Sequence, residues 1–165
     1  MSYTKIDYDY NKSRKKTAPR DKFSSKELSL GFKKTWDLIE EYFKRKDFLA
    51  CYVLTFSVME DRLNSCYKVS LWKSRSKKFD IEDVPSYEDI YLSHTKEKIN
   101  LLKDDFLITE TLEKQLYKVI GERNTKFHST MWVLEEFTKS AIIDLVAISR
   151  DLDRVRRKQK KIMGK

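Results

Sequence analysis

Arg123, Asn124 and His128 stand together in the stretch GERNTKFHST, residues 121–130, and His128 is one of two histidines in the chain. These residue types suit cleavage of RNA by attack of the ribose 2′-hydroxyl. That reaction needs a base of near-neutral pKa, a cation for the crowded phosphate and a proton for the leaving oxygen. Histidine can be the base or the acid, and arginine is the better cation because its planar fork grips two phosphate oxygens at once. The chemistry calls for no metal and no cofactor, and its product would carry a 2′,3′-cyclic phosphate. The alternative is a helix-end histidine bonded to a backbone carbonyl, with Arg123 paired to Glu122 or another nearby acid.

In a continuous helix Asn124 and His128 are one turn apart on one face, whereas Arg123 and His128 are about 140° apart. Both reach one ligand only if Arg123 curls back or the helix kinks near Gly121. A second copy facing the first would ease that geometry. Lys126, near the edge of the Asn124/His128 face, could help to hold phosphate. Glu60 or Asp61 could supply a buried partner that positions Arg123. His94 reads as a surface residue, and Trp36, Trp72 and Trp132 as core or interface rather than base-stacking platforms.

The elements that must position these residues are helical. With 3 Gly and 2 Pro in 165 residues, turn formers are too few for a many-stranded fold. Ser24 and Glu27 have capping-box spacing ahead of Leu28, Phe32, Trp36, Ile39 and Phe43, which predicts a first helix over about 25–45. Leu49, Tyr52, Phe56, Met59, Leu63 and Cys66, widened by Val53 and Tyr67, predict a second over about 47–72. Residues 73–86 read as an exposed loop. Ser86 can cap a third helix to about 104, with Ile90, Ile99 and Leu102 as core contacts. A fourth starts at Thr109 and carries Leu112, Leu116, Val119 and Ile120 towards Gly121, which weakens it. Beyond Ser129 a last helix uses Leu134, Thr138, Ala141, Leu145, Ile148, Leu152 and Val155. Ile142, Ile143 and Val146 fall beside that stripe, as part of a wide buried face or as a second surface for another subunit. The expectation is an all-α, antiparallel bundle of four or five helices over 24–155, between a flexible basic arm at 1–23 and a basic tail at 156–165.

Charge is concentrated at the ends. Residues 1–23 carry 7 Lys/Arg against 3 Asp, and residues 150–165 carry 8 against 2, so the middle is close to neutral in a chain of net charge +9. Such ends suit a polyanion such as RNA, with Arg154, Arg156 and Arg157 as nonspecific contacts, or they serve solubility alone. Cys51 and Cys66 share the second helix about 22 Å apart, too far for a disulfide, and no Cys/His grouping has zinc spacing. The N-terminus has no apolar signal core, and the run Phe48 to Phe56 is too short to span a bilayer, so a soluble cytoplasmic protein without a membrane partner is expected.

A helical preamble, then R-N-x-x-x-H, then a long apolar helix resembles the HEPN superfamily, whose nuclease members carry an R-x(4–6)-H motif with a polar residue after the arginine. Arg123, Asn124 and His128 match those positions. The Glu60-Asp61 pair within the second helix is similar to the family's second bundle helix. The resemblance covers roughly 25–155 in layout, and only the short motif is specific. It implies a homodimer that places two motifs in one cleft, and a metal-independent endoribonuclease of the toxin or phage-defence kind, with an antitoxin or other regulatory partner. In toxins silenced by a nucleotidyltransferase antitoxin a Tyr follows the histidine by two positions. Here that residue is Thr130, which argues against such control. The rival expectations are a nucleic-acid-binding module without catalysis and a helical protein-interaction module.

Overall fold

The computed structural model describes residues 24–75, 85, 89–90, 93–127 and 137–163. Among them are five α-helices and no strand: α1, Ser25–Lys44; α2, Phe48–Arg75; α3, Thr95–Asp104; α4, Glu110–Phe127; and α5, Lys139–Met163. The described residues therefore form an all-α bundle. None of these helices is long and apolar enough to cross a membrane.

Each well-defined helix end has a local cause. At the start of α1 the Glu27 N–H donates to Ser24 Oγ at 3.3 Å and the Ser24 N–H donates to Glu27 Oε2 at 2.8 Å, the capping box that the spacing predicts. The hydrogen bonds from Ser24 also hold the Glu27 carboxyl below its usual pKa. α1 ends where the Lys46 N–H donates to the Phe43 carbonyl and the Asp47 N–H to the Tyr42 carbonyl, with Lys46 at φ 60°. This is a Schellman turn, and Asp47 at once caps α2 by accepting the Ala50 N–H at 3.1 Å. α3 ends in the same way at Phe106, φ 55°, and Thr109 Oγ1 then accepts the Leu112 N–H of α4 at 3.2 Å.

Left-handed backbone strains any residue with a Cβ, and Lys46 and Phe106 are both exposed, Phe106 at 95%. Lys46→Gly and Phe106→Gly are each expected to raise stability by about 0.5–1 kcal/mol, read as a higher urea midpoint at constant slope.

The core is built around α2, which buries residues on most of its circumference: Cys51, Tyr52, Phe56, Met59, Leu63 and Cys66, with Thr55, Val58, Tyr67 and Ser70 beside them. Val53, expected to widen the stripe, is instead 42% exposed. α1 lies on α2 through Ile39, with Phe43 half-buried against the core. α5 contributes Ile142, Leu145, Ile148, Leu152 and Val155. Both cysteines are free and buried, and burial pushes the Cys66 thiol up to about 12.

Several further expectations are corrected. The antiparallel arrangement holds for α1 and α4 against α2, but α5 runs parallel to α2: Tyr52 meets Phe137, Arg62 meets Asp153, Ser65 meets Arg156 and Ser70 meets Gln159. The third helix is not continuous to 104, because the chain breaks at Ser93 and His94 before α3 starts with exposed His94 at its N-cap. Ser86, its expected cap, lies outside the described residues. Finally, residues 156–163 are helix rather than tail. Gln159, 3% exposed, donates Nε2 to the Cys66 carbonyl at 3.0 Å and to Ser70 Oγ at 3.1 Å, which pins the last turns of α5 to α2.

At its other end α5 starts later than expected. Thr138 is exposed and caps it, its Oγ1 accepting the Ala141 N–H at 3.2 Å, so it is no core contact. Ser129 and Leu134 lie outside the described residues. Ile142 proves 1% exposed and belongs to the core, and half-buried Val146 packs against that core, leaving Ile143, at 52%, on the outer face.

Candidate functional site

The last turns of α4 carry Arg123 and Asn124 against the first half of α2. Helix α4 is amphipathic: Leu112, Leu116 and Val119 are buried, which fixes its rotation and turns Arg123 towards Phe56. The Arg123 guanidinium carbon lies 5.5 Å from the Phe56 ring centroid, and its Nη1 donates to Asn124 Oδ1 at 3.1 Å. Both side chains are half-buried. Arg123 borders an open recess of about 220 Å³ that Tyr52, Phe56, Ser57, Glu60 and Phe127 also line, and Asn124 reaches it only through Arg123.

The floor of this recess is aromatic. Tyr52 stacks on Phe56 and on Phe127 with centroids 6.2 Å apart in each pair, and it meets Phe137 at 5.0 Å. Its hydroxyl is buried without a hydrogen-bond partner among the described residues. Burial, followed by the charge of Glu122, raises the phenol pKa, and Arg123 opposes that shift. Periodicity reads Tyr52 as a core residue, which it is. No signal in the sequence points to a polar tip beside Arg123.

The expected site residues separate into groups. Arg123 and Asn124 are together, as the helical spacing requires. His128, the expected acid–base group, lies outside the described residues. Lys126 does not line the recess: its Nζ lies 4.9 Å from the Phe137 ring centroid, a cation–π contact. Glu60 lines the recess but is exposed, and among the described residues Arg123 forms no ion pair, so Glu60 is not the buried partner expected for it.

Gly121 does not kink the helix. α4 passes through it without a break, Thr125 Oγ1 donates to its carbonyl at 3.0 Å, and a Cβ at this position would meet nothing within 4 Å. Gly121→Ala is accordingly expected to stabilise the protein by about 0.4–1 kcal/mol, checked by urea unfolding.

The basic residues of α5 also divide. Arg154 is exposed and ion-paired with Asp151 one turn away. Arg156 and Arg157 instead border a second, larger recess of about 410 Å³ between α1, α2 and α5, with Arg62, Asp153 and Lys160. Arg62 and Lys160 escaped notice in the sequence because Arg62 sits within the apolar stripe of α2, far along the chain from α5. Among the described residues no His, Cys, Asp and Glu side chains gather as a metal site. No family model, no curated protein and no solved structure matches this chain.

Proposed function

We propose that the protein is a HEPN-like, metal-independent endoribonuclease, with Arg123, Asn124 and His128 as its catalytic residues. The observation that supports this reading is the state of Arg123. Its guanidinium borders an open recess, is held by Phe56 and Asn124, and has no carboxylate partner among the described residues, so its charge is available to a phosphate. In this reaction the ribose 2′-oxygen attacks the adjacent phosphorus and the P–O5′ bond breaks. His128 takes the 2′ proton or delivers a proton to O5′, and Arg123 stabilises the charge that gathers on the phosphorane. Asn124 orients Arg123 through the hydrogen bond between them. The products are a 2′,3′-cyclic phosphate and a free 5′-hydroxyl. In a homodimer the two copies of His128 divide the acid and base roles. The class implied is a toxin or defence effector restrained by a partner.

The test is RNA cleavage in EDTA by the wild type and by His128→Ala, with analysis of the product ends. Cleavage by the wild type that leaves cyclic phosphate, and a loss of about 10²–10⁴-fold in His128→Ala, is the expected result. Equal rates for the two proteins would overturn it. A second reading, a nucleic-acid-binding module without cleavage, draws on the basic recess of α5 and is favoured if RNA is bound and never cut.

A further inference from the structure

The second recess carries a charge imbalance that its own residues do not resolve. Four cations, Arg62, Arg156, Arg157 and Lys160, face one carboxylate, Asp153. That carboxylate is engaged by Arg62, whose Nε lies 2.9 Å from Asp153 Oδ1, and the Arg62 guanidinium also lies 3.5 Å over the Phe32 ring. Arg156 is tethered by a hydrogen bond from Nη1 to Ser65 Oγ across to α2. Two guanidinium groups are thus fixed in place before any ligand arrives. Arg157 and Lys160 are exposed at the rim and have no carboxylate partner among the described residues.

Such an arrangement is unfavourable on its own. Arg156 and Lys160 are four residues apart on one helix, where like charges repel. The helix dipole does not explain them all, because it favours cations only in the last turn, where Lys160 and Lys161 lie, while Arg156 and Arg157 come earlier. Across the recess Leu28 and Phe32 form an apolar wall. A neighbouring recess shares these two residues and carries Glu27 and Asp61, so the positive field is confined to the α5 side. The volume falls in the range of about 300–1,000 Å³ common for small-molecule sites.

We propose that this recess binds a nucleotide unit, with its phosphates on Arg156, Arg157 and Lys160 and its base against Leu28 and Phe32. Planar guanidinium forks match phosphate oxygens, and an apolar wall opposite them suits a base rather than water. The same chemistry is presented by a free nucleoside triphosphate and by one strand of RNA. The site is distinct from the Arg123 recess and does not depend on cleavage.

The test uses the full chain and a short fluorescent 2′-O-methyl RNA, which cannot be cut by 2′-hydroxyl attack, with ATP, inorganic tripolyphosphate and an oligoglutamate peptide as competitors. The wild type is expected to bind the oligonucleotide, and Arg157→Glu/Lys160→Glu to bind it at least about tenfold more weakly, with a shallower salt dependence. Lys68→Glu/Lys96→Glu, the same charge change at exposed positions away from the recess, is expected to stay within about twofold. Competition by ATP assigns the site to a free nucleotide. Oligonucleotide binding that ATP does not displace assigns it to a strand. Equal binding by wild type and Arg157→Glu/Lys160→Glu, equal losses in both double variants, or displacement by tripolyphosphate or oligoglutamate as readily as by nucleotide would each overturn the proposal.

Discussion

Arg123→Ala is expected to lower RNA cleavage in EDTA by about 10²–10³-fold, the usual effect of removing one preorganised donor to a developing oxyanion. The fold is expected to survive the change. Arg123 is half-buried and pairs with no carboxylate among the described residues, so truncation strands no buried counter-charge. What is lost is one hydrogen bond to Asn124 and a cation–π contact at 5.5 Å, worth about 0.5–1 kcal/mol at a partly exposed position. Arg123→Lys keeps the charge but not the fork and is expected to recover only part of the rate. The decisive comparison is between activity and urea midpoint in the same preparation. Lost cleavage with a retained midpoint assigns Arg123 to phosphate. Cleavage at the wild-type rate in Arg123→Ala would remove the observation on which the nuclease reading stands.

How much of this could be read from the sequence follows from the range of each interaction. The capping box of Ser24 and Glu27, the stripe from Tyr52 to Cys66 and the alternation from Leu145 to Val155 are local, and each is found where periodicity puts it. That alternation also continues from Val155 to Gln159. A glutamine among lysines and arginines reads as solvated tail unless its partners are known, and those partners, Cys66 and Ser70, lie on another helix. The parallel course of α5 along α2 is likewise hidden, because a stripe defines which face is buried and not which way the helix runs. At the candidate site, Arg123 and Asn124 are neighbours and were legible. The contact of Arg123 with Phe56, and the Tyr52 hydroxyl that has no partner among the described residues, depend on how α4 crosses α2.

The pairing of α2 with α5 also sets the largest expected stability effect. Leu152 is fully buried, and its carbonyl accepts the Cys66 Sγ–H at 3.4 Å, so the two backbones are close at this level. Leu152→Ala removes side-chain volume where Met59, Leu63, Leu145 and Ile148 are themselves fully or almost fully buried. Neighbours on two long helices cannot collapse into the space without moving the helices. The expected cost is therefore in the upper part of the range of about 2–5 kcal/mol for such truncations. For a domain with about 5–15 kcal/mol in total, that is a large share, and the urea midpoint should fall steeply at constant slope. Ile162→Ala, on the same helix but 51% exposed, is expected to change stability by no more than about 0.5 kcal/mol. Equal losses in the two variants would mean that α5 is not seated on α2 through Leu152. A large loss confined to Leu152→Ala would place the core contact where the four-three alternation of α5 meets the broad buried face of α2.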